Sequence, residues 1–481
     1  MREPVTYLGI DLGTGSTKAA VVAGDGRLLG RGSAPHPVRS PEHGAAETDP
    51  GDWLASVGRA TQDALTDAGQ PVVEAIGLSG QMHGVVCLDG ALEPLRAALL
   101  WADVRAGPHC RAYDRLTLPH RRALANPVVP GMFGPLLAWA LERDPHLRGH
   151  LHWALSPKDW LRAALTGEVH TEPSDASATL VWDAHGSGWS VAVIDALHLP
   201  SDVLPPVVPS DQVGGRLHRG GAALLGLAEG IPVAAGAADV AAGLLGSGVP
   251  VGHTQLSIGT GAQIVVATDE LVPAAQPITH RYRRAEPEGW YAMAAIQNAG
   301  LALEWVRDVL RTSWEEMHAA LDETPLGADG VTFHGYLTGE RTPVLDNDIR
   351  GAWQGLGLHA RRTALLRAAL EGVAFAVRDA MAALVDEGID VGDVHLVGGG
   401  SSDPRWRELL AGVLGQTLAV HREADVSVLG ATRLAASAVG AALPPATHGV
   451  PDVVEAEPAA VAQYEDAWQR WRSRRPRATD L

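Results

Sequence analysis

The chain has 481 residues, 46% hydrophobic and 20% charged, enough for two or three domains with sizeable cores. Its formal charge of −18 disfavours nucleic acid as a partner, because phosphate backbones are bound through basic surfaces. No run approaches 18 apolar residues, no basic-then-apolar leader opens the chain, and Cys87 and Cys110 form neither a metal motif nor a disulfide framework, so membrane spans and secretion are disfavoured and a reducing cytoplasm is expected.

The first predicted element is a β-hairpin built on Tyr7-Leu-Gly-Ile-Asp-Leu-Gly-Thr-Gly-Ser-Thr-Lys18 and the apolar run Ala19–Val22. Its tight loop carries Asp11, Thr14, Gly15 and Lys18. Gly13 and Gly15 lack a Cβ, so backbone N–H groups there can approach phosphate oxygens, and Asp11 at the strand end is a candidate to hold a hydrated Mg²⁺. A Gly-rich turn with a solvated Asp is the plain alternative for one such loop. Lys18 and Lys158 are the only lysines against 36 arginines, which draws attention to both positions.

A third strand is predicted over Arg27–Ser33, and Asp49-Pro50 predicts a helix start that runs to about Ala68. Val73–Gly80 reads as a buried strand ending in Gly80-Gln81-Met82-His83-Gly84. A polar cluster at a strand's carboxyl end is where open α/β sheets bind ligands. His83 alone would be an ordinary structural histidine; between glycines and beside Gln81 and Met82 it becomes a candidate for substrate contact. Trp101, Asp103 and Arg105 follow at another strand end. A flat apolar face with polar groups beside it suits a sugar, and a surface Asp103–Arg105 ion pair is the alternative. Gly134–His150 is predicted helical, as is Pro157–Leu165 up to a stop at Gly167, and the polar loop Thr171–Thr179 is expected to cap the sugar side.

A short strand from Pro232 breaks at Gly236, and Asp239 then opens an Ala/Gly-rich helix. An acid there is ordinarily an N-cap. The small neighbours Ala237, Ala238, Ala241 and Ala242 also let a ligand come close and leave Asp239 the only titratable group nearby. Leu256-Ser-Ile-Gly259-Thr260-Gly261-Ala-Gln263 then repeats the first hairpin at a spacing of 259 − 13 = 246 residues. Two matching loops predict a duplicated fold that closes on a nucleotide from both sides, with a hinge near Gly246–Gly252. A strand over Met293–Gln297, a helix over Leu301–Arg311, a strand-end loop at Gly335–Pro343 and a long helix from Thr363 to Glu387 follow. Val394–Val397 runs into Gly398, Gly399 and Gly400, with Ser401 and Asp403 before the next helix; that suits adenosine against bare backbone and is not a dinucleotide fingerprint. Residues after Gly440 are expected to be peripheral.

Taken in order, Asp11-Leu-Gly-Thr14, Gly80–Gly84, Leu100–Arg105, Pro157-Lys-Asp159, Ser174–Ser177, Gly236–Asp239, Ser257–Gly261, Tyr336–Pro343, Gly398–Gly400 and Gly430-Ala431 resemble the motifs of the FGGY carbohydrate kinase family over nearly the whole length. The Gln-Met-His-Gly loop points within that family to its kinases of xylulose. Ala102 and Val240 depart from the Asn that branch carries, Leu136 from the Lys of the first family signature, and Ala364 from a polar residue in the second.

The resemblance implies an α/β fold of two duplicated actin/RNase H-like ATPase domains with a cleft between them, over residues 1–245 and 246–440, with 441–481 outside. It implies ATP- and Mg²⁺-dependent phosphorylation of D-xylulose, with Asp239 as catalytic base and Asp11 serving the metal. Substrate contacts are expected at Gln81, Met82, His83, Trp101, Asp103 and Asp239. Phosphate and nucleotide contacts are expected at Thr14, Gly15, Lys18, Gly259, Thr260, Gly261, Gly399, Gly400, Ser401 and Asp403. The expected partners are a ketopentose and ATP, with no nucleic acid or membrane, and a homodimer is compatible with the family. Rival readings are a kinase of another ketose or a polyol, an actin- or chaperone-like ATPase, and a non-catalytic sugar-binding regulator.

Overall fold

The computed structural model describes residues 5–274, 276–398, 402–421, 425–444 and 451–476. Two mixed sheets of seven strands carry the fold, and they repeat one topology. In the first, Leu28–Pro35, Ser16–Ala23 and Thr6–Leu12 form an antiparallel meander. Val73–Gly80 pairs parallel to Thr6–Leu12, Pro232–Ala234 parallel to Val73–Gly80, and Val213–Arg216 closes the edge antiparallel. In the second sheet, Trp290–Ile296, Ala262–Thr268 and Thr254–Ile258 form the meander, Val394–Val397 and Leu418–Val420 the parallel pair, and Asp452–Val454 the antiparallel edge. His280–Arg283 adds a strand beyond Trp290–Ile296. The predicted duplication is therefore present strand for strand.

Local chemistry sets the helix ends. Asp49 caps the helix Pro50–Asp67 by accepting the Gly51 N–H at 2.8 Å, with Pro50 at its first turn. Helix Pro157–Thr166 stops at Gly167, whose φ of 79° is the left-handed conformation that only glycine adopts at little cost. The helical stretch predicted over 134–150 is broken at Asp144, which caps the second piece, Pro145–His150. Among the described residues no helix is long and apolar enough to cross a membrane.

Two helices join the halves. Asp239–Ser247 leaves the first sheet, and Val426–Ala438, late in the chain, returns to pack on it. Their crossing admits no side chains: a Cβ on Gly430 would collide with the Ala242 carbonyl, and one on Gly246 with the Val426 carbonyl. Gly246 is thus a packing residue inside a helix, not a free hinge. The chain reverses just after it, at Gly248 and Gly252, with φ of 67° and 81°.

The segment expected to be peripheral belongs to the second half. Asp452–Val454 is the sheet's edge strand, and helix Pro458–Ser473 buries Tyr464, Trp468 and Trp471 in the second core. Trp471 donates its indole N–H to the Phe333 carbonyl at 2.7 Å. Its apolar residues recur at i, i+4 and i+7, a helical face that the charged residues between them disguise.

Candidate active site

Asp11 sits at the end of its strand, opposite Lys18 across the hairpin and Ser79 in the neighbouring strand. Ser79 Oγ donates to Asp11 Oδ1 at 2.9 Å. Burial raises the Asp11 carboxyl above its ordinary value, while the Ser79 hydrogen bond and the Lys18 charge pull the other way. Gly13 N–H closes the loop on the Ser16 carbonyl at 3.0 Å. Thr14 Oγ1 accepts the Trp101 indole N–H at 2.8 Å, and Gly15 has open space where a side chain would be. Lys18 departs from the expected phosphate role. Its ammonium pairs with Asp425 at 2.7 Å, at the start of helix Val426–Ala438, and lines a separate hollow. The reason is a long-range partner: Asp425, 407 residues further along the chain, takes the ammonium.

The second loop is held from behind. Gly259 N–H bonds to the Gly261 carbonyl at 2.8 Å, and the carbonyls of Gly259 and Thr260 accept N–H groups from the start of helix Gly300–Val309. A Cβ on Gly261 would lie 2.5 Å from the Ile296 carbonyl oxygen, so the close approach requires glycine there.

Asp239 is reached from Ala237–Ala238, which pairs with Ser79 and Gly80 beside Asp11. Ala238, not Asp239, occupies the cap position, so the N-cap reading does not apply. Asp239 Oδ1 accepts the Val240 N–H at 2.8 Å. Burial, and next the negative charge of Asp11, push its carboxyl up from 3.8 to about 7. The residues before it are braced by buried charge. Lys158 Nζ and Arg162 Nη1 donate to the Ala235 carbonyl at 3.3 and 2.8 Å, and Ser174 Oγ accepts the Ala238 N–H at 2.9 Å while donating to Glu172. Lys158 also meets Asp159 at 2.6 Å and Asp175 at 3.3 Å. Residues 171–179 thus form a buried wall behind Asp239, where a cap over the sugar side was expected.

Met82 and His83 face the cleft. His83 adopts φ 73°, and its Nδ1 bonds the Ala178 carbonyl at 2.9 Å. A carbonyl only accepts, so Nδ1 carries the proton and Nε2 is left as an acceptor. Burial holds the ring at about 4, neutral at working pH. Gln81 and Asp103 stand elsewhere than expected. Gln81 lies behind the hairpin, with Nε2 on the Gly13 carbonyl at 3.2 Å. Asp103 is fully buried; both oxygens are taken by Arg105, and Oδ2 also by the Ala46 N–H. A carboxylate so saturated has nothing left for a substrate, and it fixes the turn that presents Trp101.

These parts enclose a cavity of about 310 Å³ lined by Thr14, Met82, His83, Trp101, Asp239 and Arg341, among others, within the roughly 300–1,000 Å³ of small-molecule sites. Arg341 was not singled out from the sequence. A second cavity of about 760 Å³ lies next to it, lined by Leu303, Trp314, His318, Asp403 and Trp406. Gly259 and Thr260 line both. Asp403 caps helix Pro404–Leu414 through the Arg405 N–H at 2.9 Å, and the Arg405 side chain holds its carboxyl below the usual range. Gly399, Gly400 and Ser401 lie outside the described residues. Trp314 and His318, stacked at 6.0 Å, were also missed; an aromatic and a histidine one helical turn apart were the available signal.

Among the described residues no three ligating side chains converge as a metal cage. Asp11, at the mouth of the first hairpin loop, is a carboxylate of the kind a hydrated Mg²⁺ takes one or two of, together with phosphate oxygens.

The FGGY family of carbohydrate kinases is matched by its N-terminal domain over residues 6–246 and by its C-terminal domain over residues 255–439. The chain is 32% identical to the xylulose kinase of Bacillus subtilis over 440 residues, covering 90% of this chain and 88% of that one. It is 32% identical to the xylulose kinase of Escherichia coli over 432 residues, 89% of each. Its structure is similar to that of a xyloylose kinase from Brucella ovis, with a TM-score of 0.89 and 33% identity over 97% of this chain and 98% of that one. With two Gly-Thr-Gly loops facing one cleft, a raised carboxyl between them and both domains matched in order, this chain belongs to the FGGY family of carbohydrate kinases.

Proposed function

We propose that the protein transfers the γ-phosphoryl group of ATP, with Mg²⁺, to the terminal hydroxyl of D-xylulose, giving D-xylulose 5-phosphate. The observation that carries this reading is the position of Asp239: it lines the smaller cavity with Met82 and His83, and the Gly259–Thr260 loop separates that cavity from the larger one. The relatives named above as xylulose kinases support the choice of sugar.

The ketose occupies the smaller cavity and the adenosine the larger one, with Asp403, Trp314 and His318 around it. His83 Nε2 accepts a hydrogen bond from a sugar hydroxyl, and Trp101 offers an apolar face. Asp239, as carboxylate, accepts the proton of the attacking hydroxyl, and its raised pKa makes it a competent base near neutrality. Thr14, Gly15 and the loop from Gly259 to Gly261 hold the phosphates, so that nucleophile and phosphorus meet in line, which is most of what phosphoryl transfer requires of a protein. Asp11 would hold Mg²⁺, which when bound would supply charge neutralisation on the phosphates. A coupled assay of ADP release on adding D-xylulose to enzyme and MgATP tests the reading. Sugar-dependent turnover that glycerol does not support is expected. ADP release indifferent to sugar would replace the reading with that of an ATPase.

A further inference from the structure

Arg341 carries a fixed positive charge into the smaller cavity, and among its described lining residues it is the only Lys or Arg. It comes from the second half, yet its guanidinium carbon lies 4.6 Å from the ring centroid of Trp101 in the first half. Stacking at that distance is a cation–π contact. Trp101 is itself fixed by its bond to Thr14.

The backbone that presents Arg341 is pinned on both sides. Glu340 exchanges backbone hydrogen bonds with Asp346, and the Thr342 N–H reaches the Ala295 carbonyl at 3.0 Å. The neighbouring carboxylate, Glu340, would ordinarily neutralise the guanidinium. It is instead turned inward, with Oε1 accepting the N–H groups of Gln297 and Arg341, both at 2.7 Å. Among the described residues the guanidinium makes no hydrogen bond or ion pair, although it has five N–H donors. Those donors open onto the cavity, where the oxygens of a ligand can meet them.

The surroundings say which end of a ligand is involved. Asp239 enters the cavity beside Asp11, from the end of the short strand Ala237–Ala238, whereas Arg341 enters from the second half over the ring of Trp101. Arg341 therefore belongs to a different wall of the cavity from Asp239, which faces the reacting hydroxyl. We propose that Arg341 is a specificity-determining, substrate-binding residue supplied across the cleft, donating from its guanidinium to the C1 hydroxyl of the bound ketose. This rests on the ketose reading above. It makes the sugar site a product of both halves, with Trp101 and Arg341 already in contact across the cleft.

The test is steady-state kinetics of wild type, R341A and R341K with D-xylulose and with 1-deoxy-D-xylulose. For R341A the sugar KM is expected to rise about 10- to 100-fold, with the KM for ATP within about threefold of wild type. On the 1-deoxy sugar the penalty should shrink to within about threefold, because wild type has already lost the same contact. R341K, which keeps the charge but not the planar stack, should fall between. Guanidinium ion added to R341A should recover sugar affinity, a readout that a merely structural role would not move. An equal penalty on both sugars, or a loss confined to kcat and the KM for ATP, overturns the assignment. Wild-type failure to turn over D-xylulose removes the ketose reading and this proposal with it. Wild-type turnover with an unchanged sugar KM in R341A removes only the role of Arg341.

Discussion

Replacing Asp239 by Asn separates two consequences of one buried carboxyl. Turnover should fall by about 10²–10⁴, the usual contribution of a general base. Stability should move the other way. The carboxyl stands near 3.8 when unfolded and at about 7 when folded, so the folded state holds the proton more tightly. Its stabilising contribution is complete below the unfolded value and is lost as pH rises through the folded one. From pH 5.5 to about 7, at about 1.36 kcal/mol per pH unit, wild type loses about 2 kcal/mol that the Asn variant does not. The side chain opens onto a cavity that admits water, so about 1–2 kcal/mol is the expected difference. Thermal unfolding of both proteins without ligands, at pH 5.5 and pH 8, reads it directly. The Tm advantage of Asp239→Asn should grow between those pH values by on the order of 1–4 °C. The acid limb of kcat/KM for the sugar, near pH 7 in wild type, should disappear in the residual activity of the variant. Near-normal turnover, or a Tm gap that is flat with pH, would refute the reasoning.

Asp11→Asn should raise the Mg²⁺ concentration needed for half-maximal rate and, by removing a neighbouring negative charge, move the acid limb set by Asp239 to lower pH. An unchanged Mg²⁺ requirement would reduce Asp11 to a turn residue. His83→Asn, chosen because Asn tolerates the positive φ, should raise the sugar KM far more than that for ATP; equal effects would place His83 away from the sugar. Lys158→Met leaves Asp159, Glu172 and Asp175 without their shared cation and should destabilise by about 3–5 kcal/mol, measured by denaturant unfolding. Small-angle scattering should show a smaller radius of gyration with D-xylulose and a non-hydrolysable nucleotide together; an unchanged profile would mean a preformed cleft.

What was legible in the sequence was whatever local chemistry encodes. The two Gly-Thr-Gly hairpins, the Asp49 cap, the Gly167 stop and the acid at the head of an Ala/Gly helix each announce themselves within a few residues, and the duplication follows from comparing the first two. What was not legible depends on partners far along the chain. Asp103 looked available until Arg105 and the Ala46 N–H consumed its oxygens. Lys18 looked like a phosphate ligand until Asp425, at the start of helix Val426–Ala438, claimed it. Lys158 stood in a suggestive place, and the structure gives it a task one layer behind the site. Arg341 lay within a quoted motif, but nothing in the motif says that it meets Trp101. The buried face of Pro458–Ser473 was present in its spacing and hidden by its polar composition.

The glycine crossing of Asp239–Ser247 and Val426–Ala438 has a mechanical consequence. Ordinary helix pairs interlock through ridges and grooves, and turning one against the other means repacking side chains. Here the two backbones touch at Gly246 and Gly430 with no side chain between them. Such a contact works as a weld: Val426–Ala438 meets the first sheet just as closely, at Gly9 and Gly77, so the two helices and that sheet form one rigid block. One of the two helices begins with Asp239 itself, and the other begins beside Asp425, the anchor of Lys18. The base and the first phosphate hairpin therefore keep a fixed relation to one another, carried by the same block. An added methyl group at Gly430 would meet the Ala242 carbonyl, one turn after Asp239, and so press the block apart directly behind the base.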